Sequence, residues 1–217
     1  MNREERRPVF LVFEGLDGSG KTTCAKRTAE LLGAHFMTTP SEALRGYRDP
    51  ILASFKTSQE AAQLFYLATV VAASREIDAH LASGVSVVLD RYLLSTQVYA
   101  EFRGSKLNID EEIERLLRPA DLTVFLDVPL EVRQARIAKR AESSVADQET
   151  FSVAADRTLR AGYNRWFENR IVGDLLRLDA SRNSADELTA EIVKIVGSCR
   201  DSSGLDHRHL EFPRRFA

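Results

Sequence analysis

The chain has 217 residues, 44% of them apolar and 29% charged, which is enough for one domain with a substantial core. A formal net charge of −2 excludes a global basic field for gathering a nucleic-acid polymer, so an anionic partner has to be held by a local cluster, and a small anion is expected. Two cysteines, Cys24 and Cys199, lie far apart without CxxC spacing and give neither a disulfide framework nor a zinc site. The charged start MNREERRP leads into a short apolar run, and no stretch approaches the roughly 20 apolar residues of a membrane span, so a cytoplasmic protein without membrane contact is expected.

In chain order, PVFLVFEG (8–15) is a nearly continuous β-prone run of the kind buried on both faces of a parallel sheet. KTTCAKRTAELLGA follows it with helical spacing. A long helix is predicted across SQEAAQLFYLATVVAASREIDAHLASG, then a strand VSVVLD, a further helix from Leu94 to Arg118, a strand DLTVFLDV, and a helix opened by Pro129, whose missing N–H suits a first turn. The polar stretch AESSVADQET (141–150) interrupts the pattern. FSVAADRTLRAGYNRWFENR restores it, LLRLDA reads as a strand and SADELTAEIVKIVGS as a closing helix. The alternation predicts a doubly wound α/β parallel sheet of about five strands, in one domain over 1–198 with a polar tail over 199–217.

The densest signal is Gly15-Leu16-Asp17-Gly18-Ser19-Gly20-Lys21-Thr22, a full G-x-x-x-x-G-K-[ST] match between a predicted strand and a predicted helix. Its glycines let backbone N–H groups converge on phosphate oxygens, Lys21 can reach the β- and γ-phosphates, and the Thr22 hydroxyl can ligate Mg²⁺. The alternative is a glycine-rich turn that only links two elements, which the complete motif in this context argues against. Asp90 ends a buried strand at the carboxyl edge of the sheet, where it can hold Mg²⁺ or its water shell, and Arg91 can clamp a phosphate bidentately; an Asp-Arg pair at a strand end is otherwise a local salt bridge. Arg133, Arg136 and Arg140 fall three and four apart, on one helical face next to the polar insert. Spacing alone also describes a solvated face.

With VVLDRYLLSTQVYA (87–100), ADLTVFLDVPLEVRQARIAKR (120–140) and LDAS (178–181) in this order after the phosphate loop, the chain resembles the thymidylate kinase family of nucleoside monophosphate kinases over about 9–196. The resemblance implies ATP and Mg²⁺, a pyrimidine nucleoside monophosphate as acceptor with dTMP as the default, and a homodimer through the helices flanking Phe65 and Asp90. It assigns the donor to Asp17, Gly18, Ser19, Gly20, Lys21, Thr22, Thr23 and Ala180. It assigns the acceptor to Asp17, Phe65, Arg91, Tyr92, Thr96, Gln97 and Tyr99, and the metal to Thr22 and Asp90. Catalysis is expected from Lys21, Asp90, Arg91, Arg136 and Arg140, the last two as arginines of a lid over 141–150.

Three departures from the family pattern fall on the acceptor side and the lid. The family's R-E-P-G-G loop is TTPSEAL here, keeping Pro40, with Arg45 and then Arg48 as replacement phosphate contacts. Four residues after Phe65, where the family has a base-reading arginine, stands Thr69; if Tyr66 is the stacking ring, the position is Val70. The lid's Asp-Arg pair is Ser144-Val145, leaving Arg157 or Arg160 to compensate. A kinase of another or modified pyrimidine nucleotide and a non-catalytic nucleotide-binding protein are the competing readings. A GTPase switch would need an N-K-x-D segment, which the sequence lacks.

Overall fold

Phe10–Glu14 (β1) buries all five of its residues, and its alternating side chains feed two different cores. Leu11 and Phe13 face one side of the sheet, Phe10 and Val12 the other, as the two-residue period of a strand requires. The structure, a computed structural model, describes residues 7–139 and 149–201. The remaining strands are His35–Thr38 (β2), Val87–Asp90 (β3), Leu122–Asp127 (β4) and Asp174–Asp179 (β5), in the order β2-β3-β1-β4-β5 with every pairing parallel. The expected sheet of about five parallel strands is present.

Helices cover both faces because each βαβ crossover lays one against the sheet. Lys21–Leu32 (α1) and Ala185–Asp201 (α8) pack Cys24, Ala25, Ala29, Leu188, Ile192 and Val196 against one face. Gln59–Ala82 (α3) lays Leu67, Val70, Ala73 and Ile77 on the other, at the i, i+3, i+4 spacing of a buried stripe. Truncating Ile77, which has no exposed surface, to alanine would cost about 2–5 kcal/mol. Leu93–Phe102 (α4) and Val153–Trp166 (α7) pack together beside the phosphate loop, and Leu130–Ala138 (α6) leads away from β4. No helix among the described residues is long and apolar enough to cross a membrane.

The helix expected from Leu94 to Arg118 is two helices. Gly104, at φ 91, takes the left-handed conformation after α4, and Asp110 opens Glu111–Arg115 (α5) by accepting the Ile113 N–H at 3.1 Å. Between β2 and α3 lies Glu42–Ser54 (α2), a helix that buries none of its residues and contains Pro50. The closing helix runs to Asp201, three residues into the segment assigned to the tail. Residues 202–217 lie outside the described residues, as do 140–148, which hold Arg140, Ser144, Val145 and most of the expected lid.

Candidate active site

The phosphate loop leaves β1 at the carboxyl edge of the sheet and enters α1 at Lys21. Two of its glycines are fixed by close backbone approach. A Cβ on Gly15 (φ 142) would lie 2.7 Å from the Leu126 carbonyl oxygen, and one on Gly18 (φ 81) would lie 3.0 Å from that of Arg133. The loop encloses a cradle of about 80 Å³ lined by Asp17, Gly18, Gly20, Lys21, Thr22, Thr23 and Arg91. Ser19 belongs to the loop but is buried behind the cradle, its hydroxyl without a partner among the described residues. Lys21 is buried and donates to the Leu16 carbonyl at 2.8 Å; burial, with Arg91 nearby, lowers its pKa to about 8.

Asp90, at the end of β3, accepts the Thr22 hydroxyl on Oδ2, while its Oδ1 is buried with no partner among the described residues. A hydroxyl and a carboxylate with a spare oxygen, side by side at the cradle, are the hard donors that Mg²⁺ takes. Arg91 sits in the left-handed region at φ 70, uncommon for a side-chain-bearing residue and stable only where its surroundings over-determine it. Its N–H donates to the Phe13 carbonyl at 3.0 Å and its carbonyl accepts the Thr39 hydroxyl at 2.7 Å. The guanidinium pairs with Asp17 Oδ1, donates to Ser95 Oγ at 3.1 Å and lies 5.3 Å over the Tyr99 ring. Asp17 Oδ2 accepts the Tyr99 hydroxyl at 2.8 Å. Burial pushes the Asp17 pKa up, but Arg91, Lys21 and the Tyr99 hydroxyl outweigh it and hold the carboxyl below its ordinary value.

Beside the cradle opens a second cavity of about 590 Å³, between the ends of β2 and β3 and the helices α2, α3 and α4. Arg45 and Arg48 line it, as do Thr96 and Tyr99. Of the two aromatic candidates on α3 it is Tyr66 that lines the cavity; the Phe65 ring packs 6.4 Å from Phe55 and 5.4 Å from Tyr66. The lining residues Gln59, Ala62, Gln63 and Tyr66 share one helical face, and Phe65 lies off it. Thr69 and Val70 are buried and outside the lining, with the Thr69 hydroxyl turned back to the Tyr66 carbonyl at 2.7 Å. Tyr92 also departs from its expected place: its ring packs edge-on against Phe10 and its hydroxyl donates to the Arg118 carbonyl at 3.1 Å. Gln97 is buried, accepts from Gln63 at 2.8 Å and reaches the cavity only through that residue.

Of the arginines expected over the donor, Arg133 and Arg136 fall within the described residues. Arg133 is fully buried and donates to the Asp17 carbonyl at 3.0 Å while pairing with Asp156 at 2.5 Å. Arg136 bridges the Ser19 carbonyl at 3.2 Å and the Ala180 carbonyl at 2.6 Å, joining the phosphate loop to the loop after β5. Both turn toward the phosphate loop, as the three-residue spacing on one helical face allows. Arg160 pairs with Asp127 and Asp156, and Arg157 is exposed on α7; neither lines the cradle or the cavity beside it.

Sequence reasoning missed several cavity residues. Gln63, Lys56 and Arg103 carry no motif, and the topology alone gathers them, while Ser95 stands in the 87–100 segment with no role of its own legible there. Glu14 and Tyr163, buried beneath the loop, were readable only as strand and helix positions. At the far end of α3, His80 and Glu76 meet His35 of β2. The two imidazoles stack at 4.1 Å with 28° between their planes, and one ligand atom from each of the three residues lies within 4.8 Å of the others.

The chain matches the family model described as thymidylate kinase over residues 13–192. It is 32% identical over 196 residues to a protein of Archaeoglobus fulgidus named "Probable thymidylate kinase", covering 88% of this chain and 95% of that one. A Methanococcus aeolicus protein of the same name is 27% identical over 187 residues, covering 85% and 94%. Among solved structures, the thymidylate kinase of Candida albicans superposes with a TM-score of 0.69 at 21% identity over 90% of this chain and 93% of that one, a likeness of fold. With a phosphate cradle and a neighbouring cavity at the carboxyl edge of a five-stranded parallel sheet, and a family match across most of its length, the chain belongs to the thymidylate kinase family.

Proposed function

We propose that the protein is a Mg²⁺-dependent kinase that moves the γ-phosphoryl group of ATP to a pyrimidine nucleoside monophosphate, with dTMP as the default acceptor. One observation carries the reading: the small cradle and the large cavity meet at Asp17, Thr22 and Arg91, which line both. A triphosphate in the first and a monophosphate in the second would face each other across these residues, the arrangement that in-line transfer needs.

The chain's contribution is position and charge. Lys21 neutralises charge on the donor phosphates, and the cradle backbone and the start of α1 add partial positive charge. Thr22 and Asp90 would hold Mg²⁺, which supplies further charge neutralisation on the phosphate oxygens. Arg91 receives the acceptor phosphate, with Arg45 and Arg48 reaching the same cavity from α2. Asp17 and Tyr99 stand beside Arg91, where the acceptor sugar is expected, and Tyr66 offers a flat face to the base. Coupled ADP release with dTMP and ATP, abolished by chelating Mg²⁺, tests the reading.

We further propose that two copies associate through α3 in the cytoplasm. Leu64, 51% exposed, lies four residues from Ala68 and eight from Ala72, both exposed, so one helix face is apolar and uncovered. Cys24 is a buried free thiol, as suits a reducing compartment. Light scattering on the wild type and on Leu64→Lys tests the association.

A further inference from the structure

Glu14, the last residue of β1, is a carboxylate with no exposed surface, directly before the phosphate loop. It lines neither cavity. A buried carboxyl without partners is strongly disfavoured, so where its hydrogen bonds go is informative. Oε1 accepts the N–H of Tyr92 at 2.9 Å and of Ser95 at 3.2 Å. These two groups open α4 and would otherwise be orphaned in the interior, so Glu14 caps that helix from a distant strand. Oε2 accepts the Ser95 hydroxyl and lies 3.4 Å from the Tyr163 hydroxyl. Burial raises the Glu14 pKa, against the lowering effect of the Ser95 and Tyr92 hydrogen bonds and of Arg91.

All of these bonds converge on the neighbourhood of Arg91. A serine hydroxyl has one proton and two lone pairs. With its proton directed to Glu14, Ser95 presents a lone pair to Arg91 Nη1 at 3.1 Å. The guanidinium is therefore held at both ends, by Asp17 and by Ser95. Its left-handed backbone is held by the bonds to Phe13 and Thr39 and, one residue on, by the Tyr92 N–H on Glu14.

We propose that Glu14 is a positioning residue for the acceptor phosphate: through Ser95 it presets the Arg91 guanidinium, and through the Tyr92 and Ser95 N–H groups it holds the turn that aims it. The inference rests on the kinase reading and adds to it a buried pair, Glu14 and Ser95, of which only Ser95 borders the cavity.

The test uses the full chain with Ser95→Ala and Glu14→Gln. Glutamine keeps the shape and an oxygen for the two N–H groups, but turns an N–H toward the Ser95 hydroxyl, whose two lone pairs then face this N–H, Arg91 and the Tyr163 hydroxyl at 3.1 Å, so Arg91 loses its preset partner. Kinetic constants are measured for ATP and for the best monophosphate separately, with inorganic phosphate as a competing probe and thermal unfolding alongside. Each variant is expected to raise the monophosphate KM, and to weaken inhibition by phosphate, by about tenfold, with the ATP KM moving less than about twofold. The double variant should be no more than about twofold worse than the poorer single one, because both act through one hydroxyl. An unchanged monophosphate KM, or both KM values rising together with a fall in Tm, would overturn the proposal and leave Glu14 as a helix cap. If Glu14→Gln does not fold, Ser95→Ala decides by the same outcomes. Absence of turnover in the wild type would overturn the kinase reading itself, whereas turnover with unaltered variants overturns only this inference.

Discussion

The donor and acceptor sides of the cleft are built from different material. The cradle is backbone: a glycine loop pinned between two strand ends and two helices, with Lys21 opening α1 and Asp90 and Arg91 at the end of β3, next to the central strand β1. The acceptor cavity is walled by side chains of α3, α4 and α2, and α2 buries nothing. On the proposed reading, chemistry shared by many phosphoryl-transfer enzymes is held by the most over-determined part of the fold, and the acceptor is met in part by α2, a helix with no buried residue.

Damage to the donor side should therefore be the more severe. Lys21→Ala is expected to lower kcat by about a thousandfold while leaving Tm within a few degrees, since it removes positive charge aimed at the phosphates. Activity above about a tenth of wild type would remove Lys21 from that role. Because its pKa is near 8 without ligand, bound triphosphate should restore the proton: calorimetry in buffers of different ionisation enthalpy at about pH 8.5 should show uptake of roughly three-quarters of a proton. The same depressed pKa means the unfolded chain binds more protons between about 8 and 10.5, so the ligand-free protein should gain stability as pH rises through that window. Asp90→Asn comes next, with kcat down about tenfold to a hundredfold and the Mg²⁺ titration shifted to higher concentration. An unshifted titration would take Asp90 out of the metal site.

On the acceptor side, Tyr66→Ala should raise the monophosphate KM by about fivefold to tenfold, for loss of one stacking face, and Phe65→Ala should change it less than about twofold. The reverse order would return the stacking role to Phe65. The smallest effect is expected where the phosphate loop meets the loop after β5. Arg136→Ala frees the Ser19 and Ala180 carbonyls and should raise the ATP KM a fewfold with kcat nearly unchanged; a kcat loss at constant KM would restore it as a transition-state arginine.

The same contrast decides what the sequence made legible. The sheet and the cradle follow from local pattern, because a buried parallel strand, a glycine loop and a helix are consecutive in the chain. Asp90 and Arg91 were readable for the same reason, as a strand end. The acceptor wall was not, because it depends on which face α3 turns inward: Phe65 and Tyr66 are adjacent, and only packing against β3 and α4 decides between them. Arg133 shows the limit from the other side. Its spacing with Arg136 is a true helical face, but Arg133 is turned to the phosphate loop, Asp156 and the Phe151 ring. Glu14 stands directly before the phosphate loop, yet its role is not legible there, since its partners lie about eighty residues away at Tyr92 and Ser95.

The central claim is that an intact donor side serves an acceptor cavity whose α3 wall carries no base-reading arginine. ATP-dependent ADP release measured across dTMP, dUMP, dCMP, UMP and the purine monophosphates tests it most directly. The account predicts Mg²⁺-dependent turnover with dTMP, and kcat/KM values for the other pyrimidine monophosphates within about a hundredfold of it, the discrimination a missing charge-assisted hydrogen bond forgoes. ADP release no greater with any monophosphate than with ATP alone would contradict it.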